Sequence, residues 1–193
     1  MAALEIPKAH IVGYSMGGYV AQILAAQHPE MIESLVLLMT SSRAPGLRER
    51  TRDAAIASLG VTQSYADHDD AVRRIVDLLS AANGSRYYWA KNEALDVAED
   101  LVARRYNPDG AARQIAAVLA TPPFLEDLAR VTCPVTIIHG TDDSIIPLEH
   151  GKDLKERLPD ADLKIIQGAG HGISPSLEPI LSNLILQHLA QAQ

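Results

Sequence analysis

Residues 34–39, Ser-Leu-Val-Leu-Leu-Met, are apolar at every position but the first, and residues 135–139, Val-Thr-Ile-Ile-His, come close to the same pattern. A half-solvated strand alternates apolar and polar residues, whereas a short unbroken apolar run suits a strand buried on both faces of a parallel sheet. Residues 9–13 (Ala-His-Ile-Val-Gly) and 162–166 (Asp-Leu-Lys-Ile-Ile) read as two further short strands. Helical segments separate or follow them. One runs over 17–28 and is stopped by Pro29, one over 148–158 carries Leu148, Leu154 and Leu158 on a shared face, and one over 179–189 closes the chain. Strands alternating with helices in this way predict an α/β class with a mainly parallel sheet.

Residues 43–123 break the alternation and read as helical throughout. Val72, Ile75, Val76 and Leu79 share one stripe, Ala94, Ala98 and Leu101 a second, and Ala112, Ile115 and Leu119 a third. Ala44-Pro45-Gly46 and Thr121-Pro122-Pro123 punctuate the two ends. The expected organisation is a first part of the core over 1–42, an inserted helical cap over 43–124, and a second part of the core over 125–193.

Several function classes recede on composition. The chain of 193 residues is 47% hydrophobic and 21% charged, which suits a packed soluble domain. Its net charge is −7 and its Lys and Arg are scattered, so no basic stripe is offered to phosphates and nucleic acid is not an expected partner. No apolar run approaches a membrane span, and the start Met1-Ala-Ala-Leu-Glu-Ile-Pro lacks the basic-then-apolar order of a secretion leader; a cytoplasmic location without membrane attachment is expected. Cys133 stands alone, which excludes an intrachain disulfide and predicts a small buried core residue. His10, His28, His68, His139, His150 and His188 lack metal-site spacing and are expected to be structural or solvated. Neither metal nor cofactor is expected.

Chemistry concentrates in three loops. Gly13-Tyr14-Ser15-Met16-Gly17 lies between a predicted strand and a predicted helix, where a sharp turn lifts a serine hydroxyl above the sheet. Side chains at Gly13 or Gly17 are expected to collide with neighbouring backbone as the chain doubles back. The alternative is an ordinary strand-to-helix turn with a serine near a helix start. Two later loops weigh against that alternative. Gly140-Thr-Asp-Asp143-Ser-Ile-Ile-Pro147 and Gly168-Ala-Gly-His171-Gly172 both leave the C-terminal ends of predicted strands. In an open parallel sheet those ends share the edge on which Ser15 sits, so a serine, an acid and His171 can converge.

The three motifs G-x-S-x-G, G-x-x-D-x-x-x-P and G-H, in this order, resemble those of the α/β-hydrolase superfamily. The resemblance implies a partial α/β-hydrolase fold with Ser15 as nucleophile, Asp143 as acid, His171 as base and the Met16 N–H as an oxyanion donor. Asp142 is left as a loop or capping residue. Residues 106–114 and 138–143 look most like small-ester hydrolases related to aclacinomycin methylesterase. Acyl transfer to Ser15 and hydrolysis of small-molecule carboxylic esters follow as the implied activity, with lactonase or perhydrolase chemistry open on the same residues.

Tyr14 and Trp89 are candidate substrate-binding residues, although Tyr87-Tyr88-Trp89 suits the cap's own small core better. Superfamily members place about four strands before the nucleophile, and twelve residues precede Gly13 here. The resemblance therefore implies a truncated or split hydrolase. It lacks a second oxyanion donor, which is worth about 3 kcal/mol, and exposes an apolar strand edge at 9–12 that invites self-association or an N-terminal fragment. The competing expectation is a catalytically silent fragment acting only as a binding module.

Overall fold

In the computed structural model, all residues are described except 48–53, 55–57, 59, 106 and 193. Most of residues 48–59 in the expected cap, and Tyr106 of its quoted motif, thus lie outside the described residues. Four strands, β1 (Ala9–Tyr14), β2 (Ile32–Leu38), β3 (Val135–Gly140) and β4 (Asp162–Ile166), form one sheet in the order β1-β2-β3-β4. Every pairing is parallel, with Val12 beside Val36 and Leu37 beside Ile137.

The unbroken apolar run of β2 has a simple cause. Leu35 and Leu37 pack with Ile137, Phe124 and Leu128 on one face, while Val36 and Leu38 pack with Ile138 and Leu177 on the other. Side chains alternate along a strand, so only a sheet covered on both faces demands apolar residues in succession. Helices α1 (Met16–Gln27) and α5 (Leu148–Arg157) cover the first face through Ala21, Ala25 and Leu154. Helix α6 (Glu178–Gln191) covers the second through Leu181. Leu35, Leu37, Ile137 and Leu154 are all 0% exposed, and such burial stabilises by roughly 1.5–3 kcal/mol per side chain.

Between β2 and β3 come α2 (His68–Ala81), α3 (Lys91–Arg105) and α4 (Pro108–Ala120). Each start is legible: the Asp67 side chain accepts the Asp70 N–H, and Asn107 accepts the Gly110 N–H with Pro108 in the first turn. The stripe expected on α2 is present, and its Val72 and Ile75 pack on Ala98 of α3 with Val76 and Leu79 beside them.

The other two stripes need correction. On α3 the buried row is Ala94, Ala98 and the partly buried Val102, whereas Leu101, one position off a spacing of four, is 45% exposed. On α4 no residue is buried and Leu119 is 69% exposed, because this helix faces a cavity instead of a core.

Nor is the insertion helical throughout. Residues 82–90 form a loop laid against the loop after β4, with Tyr87 and Ala169 in a parallel bridge. Arg86 N donates to Gly168 O (3.0 Å) and Gly172 N to Ala82 O (2.9 Å). A Cβ on Gly84 or Gly170 would overlap the opposing backbone, so glycine permits the contact. At the base of the insertion the Arg43 guanidinium donates to the Thr121 carbonyl, joining its two ends.

Cys133 is only partly buried, since it precedes β3 rather than lying in it, and it packs on the rim of the first cluster. Among the described residues β1 pairs with β2 alone, and Val12 is 46% exposed. No described helix is long and apolar enough to cross a membrane.

Candidate active site

Where β1 turns into α1, Ser15 adopts φ 52° and ψ −119°, a backbone conformation that side-chain-bearing residues rarely enter. Such geometry costs on the order of 1–3 kcal/mol and persists only where neighbours enforce it. Here Ser15 N donates to Leu38 O (2.9 Å), and Ser15 O accepts from Gly18 N (2.9 Å) and Thr40 Oγ1 (2.8 Å). At Gly13 a Cβ would lie 2.7 Å from both Ala21 Cβ and Gly17 O, as the sequence suggests. At Gly17 it would meet nothing within 4 Å. The second crowded position is Gly18, where a Cβ would overlap the Thr40 side chain, because α1 packs against the chain leaving β2 through the residue after the motif.

The three loops converge. His171 Nε2 lies 2.9 Å from Ser15 Oγ, and His171 Nδ1 lies 2.8 Å from Asp143 Oδ2. Asp143 Oδ1 accepts the N–H groups of Ile145 (3.0 Å) and Ile146 (2.7 Å). With both oxygens occupied by donors, the carboxylate is held as an acceptor, so Nδ1 carries the proton and Nε2 is left to accept from the serine hydroxyl. Asp143 and His171 are each 5% exposed. Met16 opens α1, and N–H groups of a first helical turn have no acceptor within the helix.

Tyr14, a candidate substrate-binding residue, borders the cavity and also reaches the His171 loop. Its hydroxyl donates to the His171 carbonyl (2.7 Å) and its ring lies 5.2 Å from the imidazole, although the ring also borders the cavity. Burial, with the nearby Asp143 charge adding to it, pushes the phenol well above its ordinary pKa.

Asp142 points away from His171 and accepts from Ser85 N (2.9 Å) and Thr141 Oγ1 (2.8 Å). Hydrogen bonds from Ser85 first, and then from Thr141, hold its carboxyl below the usual carboxylate range. It therefore ties the 82–90 loop to the acid loop.

His139, expected from the sequence only to be structural or solvated, is a structural neighbour of the site. It is 0% exposed, its Nε2 donates to Ile146 O (2.7 Å), and the same nitrogen lies 3.6 Å from Asp143 Oδ2. Burial pushes its pKa down, so it stays neutral and braces the acid loop. Its position in the strand four residues before Asp143 is the only sequence signal.

Above Ser15 lies a cavity of about 540 Å³, bordered by Ser15, Met16, His171 and Trp89. Trp89 sits beside Gly172, where a Cβ would lie 3.1 Å from Nε1. The expectation of an aromatic cap core fails: Tyr87 packs on the second sheet cluster, Tyr88 is 57% exposed and Trp89 borders the cavity. The cause is the 82–90 loop, which carries these residues down onto the sheet edge. Among the described residues no cluster of His, Cys, Asp or Glu is placed to share a metal ion.

Comparison with known proteins agrees with this architecture. A family model described as alpha/beta hydrolase fold matches residues 1–175. The pimeloyl-[acyl-carrier protein] methyl ester esterase of Aromatoleum aromaticum is 34% identical over 178 residues, covering 86% of this chain and 68% of that protein. The esterase of the same name from Chromobacterium violaceum is 29% identical, covering 94% and 70%. A carboxylesterase structure from Nitrososphaera gargenis superposes with a TM-score of 0.74 at 21% identity, covering 99% of this chain and 68% of that one. A family match over most of the sequence and a shared fold lead to one assignment: the chain belongs to the α/β-hydrolase fold family.

Proposed function

We propose that this chain is a serine hydrolase of small-molecule carboxylic esters. The observation that carries the proposal is the unbroken hydrogen-bond path from Asp143 through His171 to Ser15 Oγ. His171 Nε2 takes the serine proton as Oγ attacks the ester carbonyl, and Asp143 stabilises the imidazolium that results. The oxygen of the tetrahedral intermediate gathers negative charge opposite the Met16 N–H. Collapse expels the alcohol, which leaves with the proton held by His171. Water then attacks the acyl-enzyme by the same route, His171 taking its proton and returning it to Ser15 Oγ. The esterase names of the two relatives support this reaction class, as does the apolar cavity above Ser15.

Labelling of the purified chain with a fluorophosphonate probe tests the proposal. Labelling that disappears in Ser15→Ala is the expected result, together with turnover of short-chain esters that falls by at least about 10⁴-fold in Ser15→Ala and in His171→Ala. Unlabelled but folded protein would return the chain to the binding-module alternative.

A further inference from the structure

The cavity over Ser15 has a chemical bias. Among the described residues its lining contains no Lys, Arg, Asp or Glu. Leu78, Leu79, Ile115, Val118, Ile145 and Ile173 supply an aliphatic wall. Of the polar groups that border it, the Tyr14 hydroxyl is engaged with His171 O, Ser58 Oγ with Ala54 O (2.7 Å) and Ser15 with His171, while the buried Trp89 Nε1 is a neutral donor with no partner among the described residues. An anion entering such a space gives up its water and gains no cation among the described lining residues in return, whereas a hydrocarbon chain gains by leaving water. The net charge of −7 acts in the same direction at longer range.

Resting on the ester-hydrolase proposal, we infer that the site selects esters with uncharged, hydrocarbon acyl chains and rejects esters whose chain ends in a carboxylate. Each methylene added to a neutral acyl chain is expected to raise kcat/KM about fourfold until the wall is reached.

The test compares methyl octanoate with the monomethyl ester of octanedioic acid at a pH where the free acid is ionised. A preference of about 100-fold or more in kcat/KM for methyl octanoate is expected, and a ratio near one or below overturns the inference. Gln114→Arg, which introduces a cation on the cavity wall, is expected to narrow that ratio at least about tenfold; an unchanged ratio also counts against it.

A binding measurement separates this inference from the chemistry. The chain has one tryptophan, Trp89, and it borders the cavity, so its emission in Ser15→Ala reports occupancy without turnover. Methyl octanoate should shift that emission at concentrations where the half-ester does not, and equal shifts overturn the inference. If neither ester is hydrolysed and Ser15 takes no probe, the ester-hydrolase proposal fails, while the Trp89 titration still decides the charge selection.

Discussion

The Tyr14 hydroxyl donates to the main-chain carbonyl of His171, so the residue before Ser15 holds the loop whose imidazole reaches the Ser15 hydroxyl. The two meet across 157 positions of sequence. Through this bond the strained turn and the base loop share one position.

Tyr14→Phe keeps the ring against His171 and removes the bond. The His171 carbonyl is then left without its donor in a partly buried site, which costs about 1–3 kcal/mol. Urea unfolding should show that loss, and steady-state kinetics should show kcat reduced by roughly tenfold with KM little changed, because the bond positions the base and not the substrate. A rise in KM alone would mean that Tyr14 acts on substrate.

Asp143→Asn replaces an acceptor by a group that presents an N–H to His171 in at least one orientation. With the Ile145 and Ile146 amides still requiring an acceptor, the imidazole loses its fixed tautomer. A fall in kcat of about 10³–10⁴-fold is expected with the melting temperature changed far less. Full activity in this variant would remove Asp143 from the mechanism.

Two buried imidazoles make stability depend on pH. Burial pushes the pKa values of His139 and His188 below the ordinary 6.5; the Asp143 charge opposes this at His139 and the Asp162 charge at His188, while His171 and His150 reinforce it at His139 and His10 does so at His188. Between the lowered folded values and 6.5 the unfolded chain binds protons that the folded chain does not. Stability is therefore complete above the unfolded value and is lost as pH falls, at up to about 1.4 kcal/mol per pH unit for each group. Urea midpoints measured from about pH 8 to pH 5 should decline, and the decline should be shallower in His188→Gln. Identical profiles for the two proteins would show that His188 contributes nothing.

The β1 edge calls for a solution measurement. Its backbone pairs on one side only among the described residues, and Val12 stands exposed along it. Such an edge is a template for another strand. Light scattering should find association that increases with concentration and weakens in Val12→Lys; a monodisperse monomer across the range would exclude it.

How much was legible in the sequence follows from how local each cause is. The strands could be read because burial on both faces writes itself into consecutive residues, as in Leu35 to Leu38. The three loops of the candidate site could be placed because each leaves the same end of a parallel strand, even though His171 and Ser15 lie 156 positions apart. What escaped was set by partners. Gly18 and not Gly17 is the crowded glycine because of Thr40, and Val102 and not Leu101 faces α2 because of the crossing of two helices. His139 looks like any strand residue until the acid loop folds over it. Trp89 goes to the cavity because Gly84 and Gly170 let two loops touch.

The bond between Arg43 and Thr121 has a consequence for descent. Helix α4, which brings Ala111, Gln114, Ile115, Val118 and Leu119 to the cavity wall, ends at Thr121, where Arg43 ties it to the chain leaving β2, so exchanging that helix asks little of the strands that carry Ser15, Asp143 and His171. Selection can rewrite what is admitted without disturbing how a bond is broken. A lineage built this way diversifies by trading its middle and inheriting its ends.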